Sequence, residues 1–310
     1  MKGIELSRSY FENVFLPRLR DELPEYESRL AAGLAGEGSE CFGYDDELSA
    51  DHSWGIRLCL WLPDDADEKE ISRLREFYER LPEKYMGSEL LKSSSPMENV
   101  RSGVCRVSEF YSAVTGLGAL PRSSGDWLRV KEPKLACAVN GEVYMDGFGS
   151  FTAYRNSLSE YYPRDVWLRR MAESAALAAQ TGQYNLARCS VHGEELACAI
   201  VRSRFAESAA ALTFLLNRKY RPFYKWSFRA LRSLPVLGSE MHDRLLKLMQ
   251  SGSIRQQVEL AEDISSLIIG EMRRLELTDS TSDFLMDHCG ELLRRIGDTE
   301  LMLLPVDLTF

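Results

Sequence analysis

A Gly-Ser pair and an acidic residue with the spacing used in phosphoryl transfer occur in the first sixth of the chain. Gly38-Ser39 follows a short apolar segment, and Asp51 stands just before a second apolar segment. Backbone amides and a hydroxyl in such a turn can hold phosphate oxygens, while a carboxylate on the neighbouring strand can coordinate Mg²⁺. Two such ions can stabilise an in-line displacement at an α-phosphate. The spacing therefore indicates a site for a nucleotide and magnesium.

More acidic residues separate these two points, and they have two interpretations. Asp45, Asp46 and Glu47 could supply further metal ligands, or they could cap a helix and solvate a turn. His52 is interpreted as a hydrogen-bonding residue of the structure. Asp51 itself could belong to a cleft or form an Asx-turn at the start of a strand.

A basic and aromatic segment lies much later in the chain, from Arg218 to Trp226. Lys225 or Arg221 could neutralise the oxygens of a triphosphate, and Tyr224 or Trp226 could stack on a base. The alternative is a corner between two helices whose aromatic rings are buried and whose cations face water.

The overall charge limits the partners of the protein. The 310 residues carry a formal charge of −9, so most of the surface disfavours binding to nucleic acid and anionic membranes. Any polyanion would have to bind at a local patch of positive charge. No apolar run approaches the ~20 residues of a bilayer crossing, and the first residues lack a signal-peptide core. We therefore expect a cytoplasmic protein. Seven scattered cysteines and four dispersed histidines disfavour disulfides and zinc, which leaves carboxylates as the expected ligands of any metal.

The elements that would position the Gly-Ser turn follow from hydrophobic periodicity. The pattern predicts the strands Arg29–Leu34, Gly55–Leu62 and Val104–Val107. Helices are predicted over Ser7–Arg20, Asp67–Glu83 and Phe110–Val114, and a loop over Lys92–Pro96. Asn140-Gly141 between two apolar runs predicts a β-hairpin of strands Leu135–Val139 and Glu142–Met145 joined by a type I′ turn.

After Phe151 the periodicity becomes helical throughout. The predicted helices are Val166–Gln180, Leu196–Arg218, Lys225–Leu234, Glu240–Leu248, Gln256–Leu275 and Thr281–Arg295. We therefore predict an α+β protein with a boundary near Gly149–Tyr161: a domain of residues 1–150 with a small mixed sheet and flanking helices, and an all-helical domain of residues 151–310.

Several segments together resemble a known family. They are Gly38–Gly55, Asp126–Leu128, Asn140–Tyr144 with Asp146, Tyr162–Trp167 and Tyr220–Trp226. The sequence Gly-Ser-Glu-Cys-Phe-Gly-Tyr-Asp-Asp-Glu-Leu-Ser-Ala-Asp-His-Ser-Trp-Gly from residue 38 resembles the DUF4037 family of the nucleotidyltransferase superfamily. The other segments extend that resemblance over most of the chain.

The resemblance implies a nucleotidyltransferase-like first domain with Gly38 and Ser39 on the nucleotide phosphates. It implies a metal-binding D-x-D/E pair beginning at Asp51, but Ser53 stands where the second carboxylate is usual, and a hydroxyl is a poorer Mg²⁺ ligand. A third carboxylate is expected on a later strand, with Asp146 as the first candidate and Glu109 as the second. Asp51 and Asp146 are thus the expected catalytic residues, and Asp51, Ser53 and Asp146 the expected metal ligands.

Three functions are compatible with these residues. The first is Mg²⁺-dependent transfer of a nucleoside monophosphate from a nucleoside triphosphate, with ATP as the expected one, to an unknown acceptor. The second is a degenerate transferase fold that binds a nucleotide or a partner without transfer, for which Ser53 is the main support. The third, modification of nucleic acid, conflicts with the charge of −9.

Overall fold

The computed structural model describes residues 1–46, 55–92 and 100–306. The chain forms two compact units. The first comprises residues 1–122 and 129–160, and the second comprises residues 123–128 and 161–310. The first unit holds a small mixed sheet with helices, and the second is helical, so the predicted α+β class is confirmed.

The main sheet of the first unit consists of β1 (Ala31–Leu34), β2 (Cys59–Leu62), β5 (Gly103–Arg106) and β6 (Glu142–Asp146). Their order across the sheet is β5-β2-β1-β6. β1 runs antiparallel to both β2 and β6, whereas β5 runs parallel to β2. A separate short ladder joins β3 (Lys84–Tyr85) to β4 (Ser88–Glu89). β1 and β2 are buried along their whole length, as central strands covered on both faces are.

One layer of helices begins at the N-terminus. α1 (Gly3–Tyr10) continues through a π-helical segment (Phe11–Phe15) into α2 (Leu16–Glu22), in the region where one helix is predicted. α3 (Glu68–Glu79) starts at Asp67, whose carboxylate accepts hydrogen bonds from two backbone amides of the first turn. The apolar stripes of these helices share one core with the sheet, in which the rings of Phe15 and Phe77 meet edge to face at 5.8 Å.

A second aromatic core surrounds Trp61 of β2. The ring of Trp61 stacks on Phe151 at 3.8 Å between centroids and meets Phe110 at 5.3 Å. Phe110 belongs to α4 (Val107–Thr115), and Phe151 belongs to α7 (Ser150–Ser159). β2 therefore carries apolar side chains toward two separate cores, which explains its lack of polar alternation.

The predicted β-hairpin at Asn140-Gly141 is wrong in its first arm. Residues Leu135–Val139 belong to helix α6 (Glu132–Val139), and β6 pairs with β1 instead. Pro133 in the first turn favours a helix start, and the run from Leu135 to Ala138 is buried as a helical surface. Gly141 has a positive φ of 65°, but Asn140 has a φ of −82°, so the type I′ turn does not form.

The second unit consists of helices that follow the predicted series closely. They are α5 (Ser124–Arg129), α8 (Arg164–Ala178), α9 (Leu186–Val191), α10 (Glu195–Leu216), α11 (Tyr224–Leu231), α12 (Gly238–Gln250), α13 (Ile254–Arg274), α14 (Leu285–Arg294) and α15 (Thr299–Leu303). The first five residues of α5 belong to this unit, and its last residue belongs to the first unit. A π-helical segment (Ala179–Asn185) connects α8 to α9. α5, α9 and α15 are too short to show a periodic pattern, and the sequence did not predict them as separate helices.

A buried arginine ties the end of the chain to α8. Arg169 is 1% exposed, and its guanidinium donates to the carbonyls of Leu304 and Pro305, both at 2.6 Å, and to the Glu173 carboxylate at 2.8 Å. Each of the seven cysteines is a free thiol. None of the helices within the described ranges has the length and apolarity needed to cross a bilayer.

Candidate functional site

The turn that follows β1 is built on glycines with positive φ. Gly36 has a φ of 101° and Gly38 a φ of 141°, values that side chains of L-residues rarely allow. A Cβ added to Gly38 would lie 2.6 Å from the Arg57 guanidinium and 2.6 Å from the Glu40 carboxylate. Gly38 is therefore required both by the backbone conformation and by the close approach of two charged side chains.

Asn140 holds the start of this turn. Its side-chain oxygen accepts from the Gly36 amide at 2.9 Å, and its side-chain nitrogen donates to the Gly36 carbonyl at 2.8 Å. Two hydrogen bonds from one side chain satisfy both polar groups of one peptide residue. The Asn-Gly pair thus stabilises the Gly-Ser turn instead of a hairpin.

Ser39 is half-buried in the turn. It precedes a short 3₁₀ helix (Glu40–Phe42), and its carbonyl accepts from the amides of Phe42 at 3.1 Å and Tyr44 at 2.8 Å. Its hydroxyl makes no capping hydrogen bond. The two hydrogen bonds to its carbonyl fix the backbone of Ser39.

Arg57 is a buried cation directly behind the turn. Its guanidinium donates to the carbonyl of Glu37 at 2.8 Å and to the carbonyl of Arg101 at 2.7 and 2.9 Å, and it forms an ion pair with Glu40. Burial acts to lower the pKa of Arg57, but the electrostatic interactions with Cys41 and Glu40 outweigh it, so the pKa is raised overall. The residue stays charged and fixes the backbone of the turn.

Lys134 of α6 lies at the turn as well. Its ammonium group forms an ion pair with the carboxylate of Glu37, and both side chains are partly exposed. The hydrogen bond from Lys134 lowers the pKa of Glu37. Because the pair is open to solvent, a phosphate could replace Glu37 as the anion that Lys134 binds.

Arg155 of α7 completes the set of cations. Its guanidinium donates to the carbonyl of Asn140 at 2.6 Å and to the carbonyl of Gly141 at 3.0 Å. Burial lowers the pKa of Arg155. Arg155 supports Asn140, which in turn supports Gly36.

These cations were missed by the sequence interpretation. Arg57 precedes β2, Lys134 lies on α6 and Arg155 lies on α7, and no local pattern relates them to Gly38. The one available signal was Arg57 itself, a charged residue inside the apolar run from Gly55 to Leu62. A charge in such a position calls for a specific partner.

Asp146, the described one of the two expected catalytic carboxylates, does not lie beside the turn. Asp51 and Ser53, like His52, lie outside the described residues. Asp146 pairs with Ala31, whereas Leu34 at the other end of β1 leads into the turn, a separation of about 10 Å along the strand. The carboxylate of Asp146 accepts from the amides of Gly149 at 2.8 Å and Thr152 at 2.7 Å, and so caps α7.

The other acidic candidates have structural partners. Glu109 accepts from the Arg106 amide at 2.8 Å as part of a capping box at the start of α4. Asp45 is buried and accepts from the Gly3 amide at 2.7 Å at the start of α1. Within residues 1–46, 55–92 and 100–306, no group of three or more histidine, cysteine or acidic residues could hold a metal ion. Glu47 falls outside these ranges.

The residues of the basic segment that were predicted to bind phosphate and a base belong to the second unit. Lys225 and Tyr224 are exposed at the start of α11, and the Arg221 guanidinium lies 3.5 Å from the carbonyl of Glu207. Tyr220 is buried against Tyr161 and Tyr162, with ring centroids 4.8 and 5.0 Å away. The segment therefore combines a buried aromatic corner with an exposed basic helix.

Three of the segments that carry the family resemblance meet inside this aromatic cluster. Trp127 contacts Tyr162 edge to face at 5.7 Å, and Tyr162 contacts Tyr220. Arg170 donates to the carbonyl of Leu128 at 2.9 Å. Residues far apart in sequence thus build one core of the second unit.

No curated protein and no solved structure matches the chain. The Gly38–Gly55 segment lies outside the part of the chain that a family model matches, and the nucleotidyltransferase superfamily remains a prediction. Residues 127–227, about a third of the chain, match the family described as Domain of unknown function (DUF4037), in agreement with the resemblance found in the sequence.

Proposed function

We propose that the first unit binds the phosphate chain of a nucleoside triphosphate at the Gly36–Ser39 turn and transfers the nucleoside monophosphate to an acceptor. This proposal is supported chiefly by the Ser39 hydroxyl, which makes no capping hydrogen bond. The turn around Ser39 is held in place by Asn140 and Arg57. A preorganised turn of this kind binds oxyanions without paying the entropy of ordering a loop.

Each residue has a distinct part in this proposal. The Ser39 hydroxyl and the amides near Gly38 bind phosphate oxygens, and Lys134 exchanges Glu37 for a phosphate. Glu40 is ion-paired with the buried Arg57, so it does not supply a magnesium ligand. Magnesium binding in this proposal depends on Asp51, and a bound ion would neutralise the phosphate oxygens.

Calorimetric titration with the four nucleoside triphosphates, with and without Mg²⁺, tests this function. We expect ATP to bind, and we expect Ser39→Ala to weaken binding about tenfold because a hydrogen bond to a charged oxygen is lost. Asp51→Asn should remove the Mg²⁺-dependent part of the affinity. Ser159→Ala is the matched control, because the Ser159 hydroxyl donates to the helical carbonyl of Arg155 at 2.9 Å and lies outside the turn.

The proposal is wrong if no triphosphate binds to the wild type, or if Ser39→Ala and Ser159→Ala bind ATP equally well. Product analysis for pyrophosphate release in the presence of candidate acceptors then separates transfer from binding alone.

A binding module without transfer is the second candidate. It is favoured by Ser53, which replaces a carboxylate, and by the distance of Asp146 from the turn. In this case Ser53→Asp should create pyrophosphate release without changing ATP affinity more than about twofold. Turnover by the wild type would eliminate this candidate.

A further inference from the structure

An aromatic side chain follows the Gly36–Ser39 turn on the same side of the chain as the Ser39 side chain. The Ser39 backbone is already helical, with a φ of −63° and a ψ of −34°, and its carbonyl accepts from the Phe42 amide at 3.1 Å. This hydrogen bond closes one turn of a 3₁₀ helix, in which the side chains of residues i and i+3 eclipse each other. Ser39 and Phe42 therefore lie on one side of the helix, about 6 Å apart along its axis.

Cys41 projects from a different side of this short helix, toward the interior. It is 3% exposed, whereas Ser39 and Phe42 are half-buried and keep part of their surface in contact with solvent. The Cys41 carbonyl accepts from the Gly141 amide at 2.8 Å. Because the neighbouring Asn140 binds Gly36 through its side chain, the Asn140-Gly141 dipeptide fixes both the turn and the helix that follows it.

The ring of Tyr44 lies beside the ring of Phe42. The two ring planes are within 10° of parallel, and their centroids are 6.1 Å apart. The Tyr44 amide donates to the Ser39 carbonyl at 2.8 Å, and Gly43 between the two aromatic residues has a left-handed φ of 69°. Both aromatic residues are thus hydrogen-bonded to the backbone of Ser39, and Phe42 presents a half-exposed ring that is fixed relative to the turn.

We propose that the ring of Phe42 stacks on the base of the nucleotide whose phosphates the Gly36–Ser39 turn binds, so that the site takes a purine nucleoside triphosphate. This inference rests on the function proposed for the turn. One ribose separates a base from its phosphate, a length comparable with the axial spacing of Ser39 and Phe42. Stacking uses only the flat face of a base, and a purine offers a larger face than a pyrimidine does. The site therefore distinguishes purines from pyrimidines but not adenine from guanine.

Calorimetric titration of the full chain with ATP and with inorganic tripolyphosphate, each with Mg²⁺, separates stacking from phosphate binding. Tripolyphosphate has the phosphate chain of ATP but no base. We expect Phe42→Ala to weaken ATP binding about tenfold, because one base–aromatic stack is lost. The same variant should bind tripolyphosphate as the wild type does. GTP should bind to the wild type as ATP does, and CTP and UTP should bind more weakly.

Two further variants at the same position separate the aromatic ring from the apolar side chain. Phe42→Tyr keeps a ring and should bind ATP as the wild type does. Phe42→Leu keeps an apolar side chain without an aromatic face, and it should lose most of the affinity that Phe42→Ala loses. Phe284→Ala is the matched control, because Phe284 is also half-buried but belongs to the second unit. Circular dichroism melting establishes that each variant is folded.

The two ligands distinguish failure of this inference from failure of the function on which it rests. If Ser39→Ala weakens tripolyphosphate binding but Phe42→Ala and Phe42→Leu bind ATP as the wild type does, the turn binds phosphate and the stacking is wrong. Equal loss of affinity for ATP and tripolyphosphate in the Phe42 variants also overturns the stacking, because Phe42 then only supports the turn. If the wild type binds neither ligand, the function of the turn is wrong and this inference is overturned with it.

Discussion

Glu37 shows how a single carboxylate can couple the Gly-Ser turn to pH. Its carboxylate is ion-paired with Lys134, and this interaction lowers its pKa relative to a carboxylate in the unfolded chain. A lowered pKa in the folded state stabilises the protein at pH values above the unfolded pKa of about 4.3. The stabilisation is lost as the pH falls through the folded pKa.

We therefore expect the wild type to lose free energy of unfolding between pH 5 and pH 3 by a larger amount than Glu37→Gln does. The effect should be small, because the pair is partly exposed and is screened by solvent. Urea denaturation at a series of pH values measures the difference. Equal pH dependence of the two proteins would show that the Lys134 interaction does not stabilise the folded state.

Among the secondary-structure elements, Gly182 allows two helical segments to pack closely against each other. Gly182 belongs to the π-helical segment between α8 and α9, and a Cβ there would lie 2.2 Å from the ring of Phe205 on α10. Phe205 is completely buried, so its ring has little room to move. The two elements can approach this closely only because residue 182 has no side chain.

Gly182→Ala should therefore destabilise the protein by about 1 to 3 kcal/mol, the usual cost of overpacking a core. Gly270→Ala is the matched control, because Gly270 is exposed in the middle of α13 and a Cβ there meets nothing within 4 Å. This control should stabilise the protein by about 0.5 to 1 kcal/mol through helix propensity. Thermal melts of the two variants should shift in opposite directions, and a shift in the same direction would contradict the packing argument.

At the scale of the whole molecule, the chain passes between its two units more than once. Residues 123–128 belong to the second unit although residues 129–160 return to the first. This short segment is held by Trp127 against Tyr162 and by the hydrogen bond of Ser124 with Asp298 at 2.9 Å. The second unit therefore needs residues that precede it by more than 30 positions in the sequence.

Trp127→Ala in the full chain should destabilise the second unit by about 3 kcal/mol. Trp127 is 7% exposed, so the loss of its side chain would leave a large cavity. Trp127→Phe keeps the edge-to-face contact and should lose less than half of this amount. Hydrogen exchange, read separately in α8 and in β1, measures which unit is affected. Equal loss of protection in both segments would show that the two units unfold together.

The sequence by itself determined the elements with a strong period. The helices α8 and α10 to α14 follow from apolar spacing, and β1 and β2 follow from short apolar runs that end in Gly36 and Pro63. These signals are local, because each residue of the pattern lies within one or two turns of the next. Gly38-Ser39 was identifiable for the same reason, since the turn follows its strand directly.

Only the tertiary structure decided what surrounds that turn. Asn140-Gly141 has the composition of a hairpin, but its side-chain hydrogen bonds to Gly36 give it another role. Asp146 has the residue type of a metal ligand, but strand pairing places it at the far end of β1, where it caps α7. Arg57, Lys134 and Arg155 lie near the turn because the segment before β2 and the helices α6 and α7 converge there. Long-range packing of this kind leaves no periodic trace in the sequence.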